Sequence, residues 1–254
     1  MFEWYYSFVL FYIIHIVTTL VVSNYLHRSV AHKYVIFSPN LQKFSRIWLW
    51  LIGAWEPRIT TKKWAATHHK HHRLSDTEQD PHSPYNHNFL ETLSILRRFD
   101  HRSPYYISNE EINKYAPDVP EHIDKLEDIL ISYSRWRYFF FCSVFLLLFG
   151  IGGLIFGAVG YPLIVIHLLA YNFVAHKYGY QNFVNHKSDQ SKNLWGFGFI
   201  YFGEEFHNNH HNQPGNIKYS VKWYEFDPGY AIIKILQYFG LAKISDRSDQ
   251  QLNE

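Results

Sequence analysis

Sulfur is scarce in this chain of 254 residues: there is one cysteine, Cys142, and one methionine. A disulfide framework and a cysteine-based metal site are both excluded, and so little thiol suits a reducing compartment. A reactive site must therefore be built from His, Asp, Glu or Asn. Net charge is also small, +2, so charge alone argues for no nucleic-acid partner. Basic residues are missing from the first 27 positions, where Glu3 is the one charged residue, and from the middle of 137–178. All 24 Lys and Arg lie between Arg28 and the C-terminus. No internal repeat and no low-complexity segment is present, and the length suits one domain rather than two.

What is abundant is aromatic, 19% of the chain, and histidine, 17 residues. The mean hydropathy is slightly negative, but that average hides strong clustering. Residues 4–26 are apolar for about the ~20 residues a bilayer core demands, and are expected to be a retained anchor rather than a cleaved leader. Residues 41–55 (LQKFSRIWLWLIGAW) are too short to span and read as an amphipathic or re-entrant helix at the membrane surface. Residues 137–178 form the longest apolar stretch, rich in Gly and carrying Pro162. They predict two spans, about 137–157 and 160–178, with a turn near Gly157–Pro162. Residues 56–134 and 180–254 are polar, and the last ten or so form a solvated tail. The placement of Lys and Arg puts these polar regions on the cytoplasmic side and the N-terminus on the other. The expected fold is therefore all-α: a small transmembrane helix bundle of about three spans plus an interfacial helix, under a cytosolic helical cap, with 1–254 as a single integral membrane domain.

The histidines fall into clusters at the ends of these spans. They are His27 and His32 in HRSVAH, the HxxHH of His68, His71 and His72, the HxxHH of His207, His210 and His211, and His176 at the end of the last span. On an α-helix, positions i, i+3 and i+4 share a face, so each HxxHH can converge. His27 and His32, five apart, would point roughly 140° away from each other on a regular helix. Either they serve different metals or the helix loosens before His32. Imidazole suits iron, copper or zinc. Nine such donors are too many for one ion and about right for two with open positions. Asn172, one turn before His176, is placed to hold a metal-bound water. His69 falls off its box's pattern and reads as a surface residue. His15, His101 and His122 read as polar trim, and mid-span His167 as a partner for a neighbouring helix. Asp76, Asp80, Asp189, Glu204 and Glu205 are candidates for orienting the imidazoles, with turn chemistry at Asp80-Pro81 and a helix-start charge at Glu205 as the alternatives. Arg28 and Lys33 read as membrane-interface anchors.

On these residues the chain resembles the membrane fatty acid desaturases with three histidine boxes, most nearly the bacterial acyl-CoA Δ9 (stearoyl-type) branch. The stretches that carry the resemblance are LHRSVAH (26–32), FSRIWLWLIGAW (44–55), KKWAATHHKHHRLSDTEQDPHSP (62–84), NFVAHKYGYQNF (172–183), GEEFHNNHHNQP (203–214) and KWYEFDPGY (222–230). They cover most of the chain outside 85–135. The resemblance implies that His27, His32, His68, His71, His72, His176, His207, His210 and His211 are ligands of two iron ions, with Asn172 positioning a water. It implies O₂ as co-substrate and a saturated fatty acyl chain, on CoA or lipid, as substrate in a kinked tunnel. It also implies membrane lipid around the spans, a cytoplasm-facing active site and a bacterial inner membrane. Two departures stand out. Fuller members have two spans before or at the first box, where this chain has room for one. Ala66 and Thr67 occupy the places of a head-group-gripping Arg-Asp pair, so CoA, carrier protein and glycerolipid all stay open.

An unactivated methylene lies beyond any side-chain base, so the metal pair and O₂ supply the oxidising step while the protein binds and orients. No cytochrome b5-like or ferredoxin-like segment is found. Electrons are expected from a separate ferredoxin, rubredoxin or cytochrome b5-like donor with its reductase. Lys62–Arg73 is a candidate basic dock for it. Arg58, Lys62, Lys63 and Lys70 read either as phosphate contacts or as ordinary flanking charge. A membrane hydroxylase on the same core is the second reading, and a non-enzymatic membrane metal-binding protein is a third from another class.

Overall fold

The computed structural model describes residues 4–52, 60–81, 83–92, 107–121, 123–185, 188–195, 198 and 200–245. Arg58, His82, His101, His122 and the chain beyond 245 lie outside the described residues.

Helix α1 (Trp4–Val21) runs without a break into a π-helical segment, Val22–Ala31. Strand β1 (Val35–Phe37), helix α2 (Pro39–Leu51) and helix α3 (Thr61–Leu74) follow. Four shorter elements come next: α4 (Phe89–Thr92), α5 (Asn109–Tyr115), α6 (Lys125–Ser132) and α8 (His207–Asn212), the last of these beyond the long helix α7 (Arg137–Lys177). Helix α9 (Pro228–Tyr238) and strand β2 (Ala242–Ile244) close the described chain. The architecture is mainly helical, with one addition to the all-α expectation: β1 and β2 form an antiparallel pair, Val35 opposite Ile244 and Phe37 opposite Ala242. Two three-residue strands some two hundred positions apart leave no periodic signal in the sequence.

The helix starts have local causes. Thr60 accepts from the Lys63 amide at the head of α3. Ser108 and Glu111 form a reciprocal capping box on α5. Asp227, followed by Pro228, caps α9. Two apolar helical stretches, Phe8–Ala31 and Ser134–Lys177, are long enough to cross a bilayer. Phe8, Tyr12, Phe139, Leu147, Ile151 and Val159 are exposed along them. Apolar surface turned outward in this way fits hydrocarbon rather than water.

The second stretch is a hairpin, but its turn is not at Gly157–Pro162. Gly150, at φ 65° and ψ −155°, breaks α7 into 137–149 and 151–177. Gly153 and Gly157 serve a different purpose. A Cβ on Gly153 would run into the Phe145 carbonyl, and one on Gly157 would come within 3.1 Å of the Phe145 side chain. These glycines let the two arms touch, and the Arg137 Nε donates across the hairpin to the Tyr161 hydroxyl at 2.8 Å. The apolar core here is Ile14, Ile52, Phe141, Phe145 and Ile164, joining α1, α2 and both arms.

Helix α2 exposes Phe44 and Ile47 and buries Arg46 and Leu49. Arg46 forks onto Asp124, 2.7 Å to each carboxylate oxygen, which ties α2 to the start of α6. Glu127 on α6 accepts from the Thr61 amide and hydroxyl. That fixes where α3, and with it one HxxHH, begins.

Gly150 occupies a backbone region that is essentially closed to other residues, and a Cβ there would meet no atom within 4 Å. The cost of Gly150→Ala is therefore backbone strain alone, about 1–3 kcal/mol. The expected outcome is a lowered melting temperature in detergent; an unchanged one would contradict the turn at Gly150.

Candidate metal centre

The π-helix settles the spacing of the first pair. An i→i+5 ladder sets residues five apart nearly over one another, and the His32 amide donates to the His27 carbonyl at 3.0 Å. His27 and His32 thus face one donor set, not two different ones. Loosening of the helix was the correct alternative.

The nine histidines gather into two adjoining groups whose ligating atoms lie within 4.8 Å of one another. The first is His27, His32, His68, His72 and His210. The second is His71, His176, His207 and His211. Each HxxHH is therefore split between groups, so its three members share a helix face without sharing a centre. The groups touch where the His72 and His211 rings stack, centroids 4.3 Å apart. In the first group, Nε2 atoms face each other at 3.0 Å for His27 and His210 and at 2.9 Å for His32 and His68. In the second, His176 and His207 do so at 2.9 Å. Asn172 lies half-buried one turn before His176 on α7.

Behind the rings stand acceptors that decide which nitrogen carries the proton. His71 donates Nδ1–H to Asp80 at 2.9 Å, His176 to Asp76 at 2.8 Å, and His211 to Asp189 at 2.9 Å. His27 Nδ1 is 2.5 Å from Glu204. The Tyr171 hydroxyl donates to the Glu204 carbonyl, so it accepts from His207 Nδ1 at 2.7 Å. Four of the five candidate carboxylates thus orient imidazoles. Glu205 does not: it accepts from the amides of Ile200, Tyr201 and Gly203 and holds the preceding loop.

This arrangement tests whether cations fit. With Nδ1 protonated, His176 and His207 turn bare Nε2 lone pairs on each other, which is repulsive unless a cation lies between them. The buried His211 Nε2 has no hydrogen-bond partner among the described residues. Burial pushes His32, His68, His72, His207 and His210 well below the ordinary histidine range, and His211 down to about 4. Neutral imidazole is the ligating form. For His71, burial acts downward as well, but Asp80, Asp76 and Asp189 outweigh it and raise the value. Positive charge is thus favoured at that spot. The donor sets fit two metal ions.

Several side chains sit elsewhere than expected. Arg28 is no interface anchor. It is fully buried, forked onto Asp227 at 3.0 and 3.1 Å, 3.4 Å from Glu204, and stacked 3.9 Å over the Tyr219 ring. Lys33 does lie near the surface, 3.6 Å from Asp118. His69 is no surface residue: its ring nitrogens meet the Tyr115 and Ala31 carbonyls at 2.7 and 3.0 Å, clamping α3 to α5 and to the π-segment. His15 packs edge-on against His167, centroids 4.4 Å apart, and Tyr201 stacks on His167 from another side. Lys62 turns inward to Asn113 and Glu121, and Lys70 to Glu111, so much of the basic stretch on α3 is taken up internally. Tyr171, Tyr219 and Asp227 escaped the sequence reading. Asp227 had a signal in its Asp-Pro helix start, and the two tyrosines had none.

A sequence model of the family described as fatty acid desaturase matches residues 3–245. The chain belongs to the fatty acid desaturase family. Similar members include the sn-1 stearoyl-lipid 9-desaturase of Synechocystis sp., 28% identical over 231 residues, or 85% of this chain and 64% of that enzyme. The corresponding enzyme of Anabaena variabilis is 29% identical over 87% of this chain and 78% of its own length. An acyl-CoA 5-desaturase of Anemone leveillei is 30% identical over 85% of this chain and 64% of its own. This desaturase-family chain thus spans about two thirds to three quarters of the length of these curated relatives.

Within the family member described here, Arg28 bonds the π-segment to the loop and helix that follow the third box. Replacing it by Ala removes the buried countercharge of Asp227 and Glu204, which keep only hydrogen bonds from Tyr219, Tyr230, Ser23 and His27, a loss of about 3–5 kcal/mol. Arg28→Lys keeps the charge but not the fork, and should fall between the two. Denaturation of the purified variants would check this, and an Ala variant as stable as the parent would refute it.

Proposed function

We propose that this protein is an integral membrane, di-iron, O₂-dependent fatty acyl desaturase that introduces a cis double bond, of Δ9 type, into a saturated acyl chain. The observation that carries the reading is the pair of adjoining, partly to fully buried all-imidazole donor sets, five of whose rings are oriented by Glu204, Asp76, Asp80, Asp189 and Tyr171. Imidazole-only ligation suits borderline transition metals, iron among them. Two irons bound there would supply, with O₂ and two electrons, the power to remove hydrogens from an unactivated methylene pair.

The chain's own part is ligation, orientation and exclusion of water. His27, His32, His68, His72 and His210 would hold one iron. His71, His176, His207 and His211 would hold the other, with Asn172 orienting a water toward it. The carboxylates behind His27, His71, His176 and His211 keep those four Nδ1 atoms protonated, so each of these rings would present its Nε2 lone pair to a metal. The buried members, His27, His71, His176, His207 and His210, would help keep bulk solvent from the reaction. Regiochemistry follows from how deeply the acyl chain is threaded past the donors, a matter of orientation rather than of any reactive side chain.

The relatives named above act on lipid-borne and CoA-borne chains, and either carrier is compatible with this site. Electrons would come from a separate ferredoxin, rubredoxin or cytochrome b5-like protein at the cytoplasmic face, beside the bacterial inner membrane. The competing hydroxylase reading shares the donor sets, and the desaturase names of the relatives weigh against it.

Expression in a desaturase-deficient host, with mass spectrometry of its lipids, is the test. Loss of two hydrogens from the acyl chain is expected; gain of an oxygen atom would replace this reading with the hydroxylase. His207→Ala should lose iron and activity while still inserting into the membrane, and full activity in that variant would remove His207 from the ligand set.

A further inference from the structure

The two donor sets use the same ligand and differ in what stands behind it. Around the four-histidine set, three carboxylates each touch a ring directly: Asp80 on His71, Asp76 on His176 and Asp189 on His211. Among the described residues the five-histidine set has one such contact, Glu204 on His27, and the charge of Glu204 is shared with the buried Arg28 guanidinium 3.4 Å away. His210, a member of the same set, has a buried Nδ1 with no hydrogen-bond partner among the described residues. Carboxylates one imidazole away raise ligand basicity. In a buried site their attraction for a dication is little screened. The extra imidazole of the five-histidine set argues for the opposite order. It is a neutral donor, however, and weighs less than two further full negative charges set against the rings.

We propose that the two metal positions are unequal by construction. The four-histidine position takes the first cation and holds it more tightly, and the five-histidine position fills second and empties first. Asp76, Asp80 and Asp189 act as positioning residues that set this order through His176, His71 and His211. The inference rests on the reading of both clusters as metal sites, but not on which reaction they serve.

The experiment is an anaerobic titration of the whole, detergent-solubilised apoprotein with Fe(II), followed by Mössbauer spectroscopy and iron content. The first equivalent should fill one quadrupole doublet and the second equivalent another. Asp189→Asn should weaken the first step at least about tenfold and bring the two steps together; Asp76→Asn is an independent variant at the same position. Glu204→Gln should weaken the second step and leave the first in place. Tyr171→Phe removes a hydrogen bond to His207 without changing charge, so it should weaken the first step less than Asp189→Asn does. Doublets that fill in parallel, Asp189→Asn and Glu204→Gln acting on the same step, or no iron bound at all would overturn the proposal. Ordered filling supports it whichever product the lipid analysis returns.

Discussion

The orientation of this centre rests on one hydrogen bond repeated at four of its nine histidines: an imidazole Nδ1–H held by a carboxylate. A buried histidine left to itself can take either tautomer or hydrogen-bond to its neighbour, and a nest of nine would then be a tangle of N–H···N contacts. Asp76, Asp80, Asp189 and Glu204 remove that freedom at His176, His71, His211 and His27. Each turns an Nε2 lone pair inward, and lone pairs facing one another at about 3 Å, as at His176 and His207, are tolerable only around positive charge. The fold's work is to deliver both members of every pair. His71 and Asp80 come together through the turn after α3, while Asp76 must reach His176 across a hundred residues of sequence.

The same economy governs the scaffold. Arg28 lies next to His27 in the chain and reaches Ser23, Asn24, Glu204 and Asp227, so one buried guanidinium joins the π-segment to the loop before α8 and the cap of α9. Its forked, permanently charged geometry suits a site where several acceptors converge from different elements. The π-helical winding is part of this arrangement, since Ser23 and Arg28, like His27 and His32, are five apart and meet on one face.

Much of the site was legible before any coordinates, because metal ligation needs residue types that are rarely clustered for other reasons. The nine histidines of the two groups and the four carboxylates that orient rings among them could be picked by type and spacing. Several assignments went wrong where a residue type has two uses. Glycine marks turns and also close helix contacts, so Gly153 and Gly157 drew the hairpin turn away from Gly150. Arginine at a span end is usually an anchor, and Arg28 is instead internal. Lysines beside the second box suggested a docking patch, but Asn113, Glu121 and Glu111 lie in the polar segment after it and fold back onto α3. His69, set aside as surface, clamps two backbone carbonyls.

The sequence by itself determined the chemistry available: imidazole donors without competing thiols, apolar stretches on a bilayer's scale, and boxes placed at the ends of those stretches. Such properties are carried by composition and local spacing, which survive without knowledge of partners. Only the tertiary structure decided the division of each HxxHH between two groups, the union of His27 with His32, and the pairing of five of the nine rings with a carboxylate or tyrosine. Those depend on the angle at which helices cross and on contacts between residues up to about two hundred positions apart, as between His27 and His210, and no local pattern encodes them.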